Sequence, residues 1–428
     1  MDIKIFPGKL KGVLTPPPSK SYLHRAIISA SLAKGTSYIR NILIGDDIQA
    51  TIEAFRSLGI TIDYYNNQLT ITSNGSLSIQ ENHQIQCHES GSTLRFLMPL
   101  LTTESGVEFY GTSSLLNRPL SIYEAIYANQ NNEFVRFQDH IYLQGTLKAD
   151  HFHIDDDSSS QYVSGLLFAL PRLPHDSTIS ITKDFQSKHY IDMTISILNQ
   201  FGIIIHQTSE TTYQIPGNQT YHPQTIHIES DYSQASFFLI GAAMNGDLTL
   251  NHLYQHSLQP DKSILHILKQ AGIPFHVYEQ SIHIQQSTLD LPLIDLSQNI
   301  DLGPALFLLA SQSKSPTIIK NYERLMYKES NRLSNMLDIL KMMNVNVIQS
   351  QNTIKIGFQP SFTFGTIDSY RDHRIAMAIA IFATKATTPT IIKNIHVINK
   401  SYPTFIHDLK QLGIQVSYLT QNENNGEI

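Results

Sequence analysis

Nine basic residues stand in short polar clusters rather than in the alternating stretches of the chain: Lys20, Arg25, Arg95, Arg118, Lys188, Lys328, Arg332, Arg374 and Lys400. Such side chains, together with helix N-termini, are what hold phosphate and carboxylate. One Lys or Arg at a helix start is ordinarily a solvated charge; the grouping is what favours anion binding. Two carboxylates stand among these cations. Asp301 lies in a nearly uncharged stretch, and Glu329 lies between Lys328 and Arg332. Nearby cations favour the ionised carboxylate, so either could act as a base at neutral pH. Asp301 would also fit as a plain helix N-cap. Lys328 and Arg332 are four apart, which predicts one helical face. The chemistry in reach is proton transfer on two anionic small molecules, held in separate basic subsites and joined in a cleft.

The bulk composition narrows the partners. The chain has 428 residues, 41% hydrophobic and 15% charged, with a net charge of −6 and a pI near 6.3. That balance argues against a nucleic-acid binder working through a general basic field, so anions must be held locally. A single cysteine, Cys87, excludes an intrachain disulfide framework. The first residues, MDIKIFPGKLKG, hold no apolar run of signal-peptide length, and no run of membrane-spanning length occurs. A cytoplasmic monomer with no membrane or nucleic-acid partner is expected. Nineteen histidines include no HExxH pair. His151, His153, His227 and His283 alternate with apolar neighbours as strand residues do, so no metal site is expected.

The elements that must position the charged residues repeat. A helical stretch, a Gly or Asn, a strand, a polar turn and a second strand recur around Gly59, Asn131, Gly202, Gly272, Asn344 and Gly413. The intervals are 72, 71, 70, 72 and 69 residues. Gly and Asn fit because a helix commonly ends on a left-handed residue. In the same phase, polar clusters precede apolar helices: Ser19-Lys20-Ser21, Glu89 to Thr93, Ser158 to Gln161, Asp231 to Gln234, Asp301 to Gly303, and Arg371 to Arg374. Helices as apolar as SFFLIGAAM and IAMAIAIFA are expected to be buried. Their Ser, Thr and Asp starts are N-cap chemistry, and the helix ends they cap carry partial positive charge.

A second loop recurs in each repeat, at Gly45-Asp46-Asp47, Asn117-Arg118, Ser187-Lys188-His189-Tyr190, Pro260-Asp261-Lys262, Tyr327-Lys328-Glu329 and Asn399-Lys400-Ser401. Six βαβαββ-like units imply an α/β protein of two domains with three units each. The boundary is expected between Ile228 and Asp231. The stiff Thr15-Pro16-Pro17-Pro18 run would form the other strand of a hinge, with the first residues packing on the distal domain.

PPSKSYLHRA at 17–26, ESGSTLRFLMPLL at 89–101, NRPL at 117–120 and SSQYVSGLLFALP at 159–171 resemble the 5-enolpyruvylshikimate-3-phosphate synthase family. So do SKHYID at 187–192, YKESNRL at 327–333, RDHRIAMA at 371–378 and NKSYPTF at 399–405. The resemblance runs in order over essentially the full length. It implies the enolpyruvyl transferase fold, an inside-out α/β barrel whose lobes are each three βαβαββ units with buried parallel helices and outward-facing mixed sheets. It also implies transfer of the enolpyruvyl group of phosphoenolpyruvate to the 5-hydroxyl of shikimate 3-phosphate (3-phosphoshikimate), with release of phosphate, in aromatic amino-acid biosynthesis. No metal or redox cofactor is implied.

By this resemblance, 20–229 is the lobe of the shikimate 3-phosphate subsite, while 1–19 with 230–428 carries the catalytic Asp and Glu and phosphoenolpyruvate ligands. Shikimate 3-phosphate would be held by Lys20, Ser21, Arg25, Ser159, Ser160, Gln161, Ser187, Tyr190, Asp301 and Lys328. Phosphoenolpyruvate would be held by Lys20, Gly91, Arg118, Gln161, Arg332, Arg374 and Lys400. Asp301 would take the 5-hydroxyl proton, Glu329 would protonate the methylene and later remove that proton, and His373 would lie beside the reacting centre together with Lys20. Glu89, Arg324, Asn331 and Arg371 depart from the family pattern. The sister transferase acting on UDP-N-acetylglucosamine would need Lys-Asn at 20–21 and a loop cysteine near Arg118. An RNA 3′-phosphate cyclase would need a more basic surface. A non-catalytic anion-binding paralogue would have lost Lys20, Asp301 or Glu329, and all three are present.

Overall fold

The computed structural model of the protein describes residues 1–155, 159–182, 185 and 187–419. Two compact units arise: 18–228, and 1–17 with 229–428.

Three four-stranded sheets form the unit 18–228. Their strand orders are Thr225–His227, Gly35–Arg40, Gln68–Ser73, Thr61–Tyr65; His83–Gln86, Val107–Tyr110, His140–Gln144, Glu133–Arg136; and His151–Ile154, Ser177–Ile181, Thr212–Ile215, His206–Gln207. In each, the first pair is parallel and the rest antiparallel. The other unit repeats the pattern from Leu10–Leu14, Gly246–Asn251, Ser281–Gln285, Phe275–Val277, and from Leu293–Asp295, Thr317–Lys320, Ile354–Ile356, Val347–Gln349. Its third sheet departs from a purely local repeat. There Thr366–Asp368 pairs with Thr390–Lys393, Thr390–Lys393 pairs with Asp2–Ile5, and Val416–Leu419, on the other side of Asp2–Ile5, forms the far edge. The N-terminal strand thus completes the last sheet. The first parallel pair of each unit is also non-local, Leu10–Leu14 with Gly246–Asn251 and Thr225–His227 with Gly35–Arg40.

The central strands alternate buried and less buried residues, whereas the cluster-led helices are buried along most of their length. The helices therefore fill each unit and the sheets cover them. Gly91–Leu100 packs on Gln161–Ala169 closely enough that a Cβ on Gly165 would sit 2.5 Å from the Arg95 carbonyl oxygen. Side-chain caps hold four of the six helix starts. Ser19 accepts from Tyr22 N, Ser90 from Thr93 N, Asp231 from Ser233 N and Gln234 N, and Asp372 from Arg374 N. Each is worth about 1 kcal/mol.

All six repeat anchors are left-handed, with φ of 85° at Gly59, 57° at Asn131, 84° at Gly202, 74° at Gly272, 58° at Asn344 and 90° at Gly413. A second in-phase series lies just after the second strand of four repeats: Asn41, His252, Asn321 and Asn394, with φ between 56° and 58°. The segments that follow these turns carry Asp47, Asp261, Lys328 and Lys400.

Candidate active site

Arg332 is the hub of the unit 1–17 with 229–428. Its side chain is 1% exposed and donates from Nε to Asp372 Oδ2 at 2.7 Å, from Nη1 to Asp301 Oδ1 at 3.1 Å, and from Nη2 to Glu329 Oε2 at 2.6 Å. Lys328 Nζ lies 3.2 Å from Asp301 Oδ1, and Lys400 Nζ lies 3.6 Å from Glu329 Oε1. Arg374 donates to Asp301 Oδ2 at 3.4 Å, to the Asp301 carbonyl at 3.2 Å and to Ser233 Oγ at 2.6 Å. Burial pushes the Asp301 proton affinity up, but Arg374, Lys328 and Arg332 outweigh it and hold the carboxyl well below its usual range. Burial lowers the Lys328 ammonium, with Asp301 opposing. Burial would also lower Arg332, but Asp372, Glu329 and Asp301 more than reverse this. The result is an ionised Asp301 with Glu329 beside it, each carboxyl group gripped by cations that an incoming anion could claim.

Two local expectations are corrected here. Lys328 and Arg332 do not share a helix: the helix Arg332–Met342 begins at Arg332, and Lys328 lies in the preceding loop. Asn331 caps that helix, accepting from Ser334 N at 3.1 Å, so capping survives at this departure from the family pattern. Nor is Asp301 an N-cap. It sits on the 3-10 turn Ile300–Leu302, and the helix Gly303–Ala310 starts from Leu302 without a side-chain cap. Its carboxylate is thereby left to the cations. His373 is buried as the first residue of the helix His373–Ala383, between Asp372 and Arg374 in the chain.

The unit 18–228 gathers a second group. Lys20 opens the helix Lys20–Leu32, and its Nζ lies 2.7 Å from Asp47 Oδ2. Ser21 follows it, and its carbonyl accepts from Arg25 Nη1 at 2.8 Å. Arg25, 3% exposed, also donates to Thr194 Oγ1 and to the Tyr190 carbonyl, with its guanidinium over the Phe96 and Tyr190 rings. Burial lowers it to about 10, which leaves it charged at neutral pH. Gly91 opens the next helix, and a Cβ there would lie 3.0 Å from Arg118 Nη1, 3.3 Å from Arg95 Nη1 and 3.7 Å from Gln161 Oε1. Arg95 donates to Gln161 Oε1 at 2.9 Å and to the Pro119 carbonyl at 3.1 Å, while Gln161 Nε2 donates to Ser92 Oγ at 3.1 Å. Ser159 Oγ accepts from Gln161 N at 3.3 Å, and Ser160 is the buried N-cap position of that helix. Ser187 is buried with φ of 58°, leading into the helix that carries Tyr190. Lys188 Nζ donates to the Glu210 carbonyl at 2.6 Å.

Several members of these networks carried no chemical signal of their own in the sequence. Asp372 and Asp47 read as a cap and a loop acid. Arg95 stood among the candidate cations without a partner. A buried hydroxyl chain joins His24 Nδ1 to Thr51 at 2.8 Å, Thr51 to Thr93 at 2.7 Å, and Thr93 to Ser90 at 2.7 Å. It ties the helix of Lys20 to the helix of Gly91. The one signal that could have found these residues is their position in phase with the repeat.

Comparison with solved structures defines the class. An EPSP synthase from Acinetobacter baumannii superposes with a TM-score of 0.79 at 26% identity, covering 97% of this chain and all of that one. The enolpyruvyl transferase NikO from Streptomyces tendae shares the fold at 15% identity, with a TM-score of 0.77 over 98% and 99% of the two chains. The fold is that of an enolpyruvyl transferase. Within that class, the chain belongs to the EPSP synthase (3-phosphoshikimate 1-carboxyvinyltransferase) family, whose model matches residues 6–409. It is 40% identical to the 3-phosphoshikimate 1-carboxyvinyltransferase of Clostridium kluyveri over 417 residues, 97% of this chain and 98% of that relative. The corresponding enzyme of Clostridium botulinum (strain Eklund 17B) is 41% identical over 419 residues, 96% of this chain and 97% of the relative. No helix among the described residues is long and apolar enough to cross a membrane.

Proposed function

We propose that this protein transfers the enolpyruvyl group of phosphoenolpyruvate to the 5-hydroxyl of 3-phosphoshikimate, releasing phosphate, as a cytoplasmic monomer of the shikimate pathway. The observation that carries the reading is the Arg332 hub, where two candidate proton-transfer carboxylates, Asp301 and Glu329, are each paired with cations suited to anionic substrates. Lys20, Ser21, Arg25, Ser159, Ser160, Gln161, Ser187, Tyr190, Asp301 and Lys328 are assigned to shikimate 3-phosphate. Lys20, Gly91, Arg118, Gln161, Arg332, Arg374 and Lys400 are assigned to phosphoenolpyruvate, and His373 to the surroundings of the reacting carbon.

The chemistry follows from charge. Asp301 accepts the proton of the attacking hydroxyl, and Glu329, protonated once the substrates draw Arg332 and Lys400 away from it, delivers its proton to the methylene carbon, giving a tetrahedral adduct. Glu329 then takes a methylene proton back as the C–O bond to phosphate breaks. Arg and Lys side chains stabilise the charge that gathers on the leaving phosphate. A carboxylate held as far down as Asp301 is a weak base. Anionic substrates that engage Arg374, Arg332 and Lys328 relieve that hold, so base strength appears only when the substrates are bound.

The test is phosphate release by purified protein. Release requires both substrates, and Lys20→Met and Asp301→Ala each abolish it while circular dichroism stays native. Release with UDP-N-acetylglucosamine in place of 3-phosphoshikimate overturns the reading.

A further inference from the structure

In the fourth repeat's second loop, at Pro260-Asp261-Lys262, the acid is the buried charged residue. Lys262 points outward, donating to the Gln255 and Ser257 carbonyls at 2.5 and 3.3 Å. Asp261 is the buried one, 3% exposed on the turn Pro260–Ser263. Ser233 hydrogen-bonds to its carboxylate. The same Ser233 oxygen accepts from Arg374 Nη1 at 2.6 Å. A serine hydroxyl has one proton and two lone pairs. With the proton committed to Asp261, a lone pair is left aimed at the guanidinium.

We propose that Asp261 is a positioning residue for Arg374: through Ser233 it fixes the guanidinium in the pose that receives phosphoenolpyruvate, and its charge tempers the hold on that anion. The inference rests on the assignment of Arg374 as a phosphoenolpyruvate ligand. The first repeat offers an independent parallel, because Asp47, at the start of the helix Asp46–Ser57 at the corresponding place in that repeat, holds Lys20 at 2.7 Å. The charged groups facing Asp261 are Arg374 from the helix His373–Ala383, Asp301 from the turn Ile300–Leu302, and Asp231 at the start of the helix Tyr232–Asn245. Burial raises the Asp261 carboxyl to about 6, with Arg374 opposing and Asp301 adding to the rise. Its charge therefore changes close to neutral pH. Below that point the neutral acid still accepts from Ser233, while the negative charge beside Arg374 is gone.

Steady-state kinetics of the full chain from about pH 5 to 8 test this. At neutral pH, Asp261→Ala and Ser233→Ala each raise the KM for phosphoenolpyruvate about tenfold or more, as expected for losing a hydrogen bond to a charged group. The KM for 3-phosphoshikimate stays within about twofold. Asp261→Asn keeps an acceptor oxygen without the charge. Its KM for phosphoenolpyruvate falls about two- to fivefold below wild type at pH 7.5, for one charge removed at partial screening, and matches wild type near pH 5. The variant-to-wild-type ratio cancels the substrate's own titration. Equal changes in both KM values, unchanged KM in folded Ala variants, or an Asn ratio constant with pH each overturn the proposal. If Asp261→Ala does not fold, Ser233→Ala decides. Wild-type protein that never releases phosphate from the two substrates overturns the assigned reaction instead.

Discussion

Arg332 Nε donates to Asp372 Oδ2 at 2.7 Å, and the two side chains are 1% and 0% exposed. Asp372 also accepts from Arg332 Nη2 at 3.3 Å, from Ser330 Oγ at 3.2 Å and from Arg374 N at 2.9 Å. One carboxylate thus fixes a buried arginine, steadies the loop of Glu329 and caps the helix that carries Arg374.

Removing that carboxylate strands a buried cation. Asp372→Ala lowers stability by about 3–5 kcal/mol, with about 1 kcal/mol more from the lost cap, read from the urea midpoint at neutral pH. A loss below about 1 kcal/mol would show that Asp301 and Glu329 suffice for Arg332.

Asp301 should link stability to pH. Its folded-state pKa lies well below the unfolded value because Arg374, Lys328 and Arg332 outweigh burial. A depressed carboxyl contributes stability that is present above the unfolded value, near 3.9, and lost as pH falls through the folded value. Asp301→Asn is therefore less stable than wild type at pH 7, and the gap narrows as the pH falls below the unfolded value. A gap that does not change with pH contradicts the ion-pair account.

His24 shifts stability in the same direction as Asp301, over a higher pH range. Burial first, then Lys20, lowers it to about 3, so the folded protein keeps it neutral. Below about pH 6.5 the unfolded chain binds a proton that the folded chain refuses, which costs about 1.4 kcal/mol per pH unit. The stability difference between wild type and a folded His24→Gln variant should shift by that slope between about pH 6 and 3. A flat difference would mean that His24 takes up its proton in the folded state.

Gly91→Ala places a Cβ 3.0 Å from Arg118 Nη1, at the far end of a flexible side chain. Arg118 can swing away, so stability changes by less than about 1 kcal/mol while the KM for phosphoenolpyruvate rises. Thermal unfolding beside steady-state kinetics separates the two. A large loss of stability with unchanged KM would refute this.

Repeat phase and the helix ends were legible in the sequence because they are local. Left-handed backbone at Gly59, Asn131 and their four counterparts needs only Gly or Asn at the end of a helix. The caps at Ser19, Ser90, Asp231 and Asp372 need only a short polar side chain two or three residues before the N–H it accepts from. The family, and with it the fold, was carried by motifs that are contiguous in the chain.

Tertiary structure decided what spacing could not. Asp2–Ile5 completes a sheet with Thr390–Lys393 and Val416–Leu419 near the other end of the described chain, a pairing that no local period encodes. Lys328 and Arg332 meet through Asp301 rather than along a helix, and Asp261, not its neighbour Lys262, is the buried member of its loop. A side chain's type limits the bonds it can make, but which partner it reaches, and how far water is excluded from the pair, is fixed only when distant segments pack together.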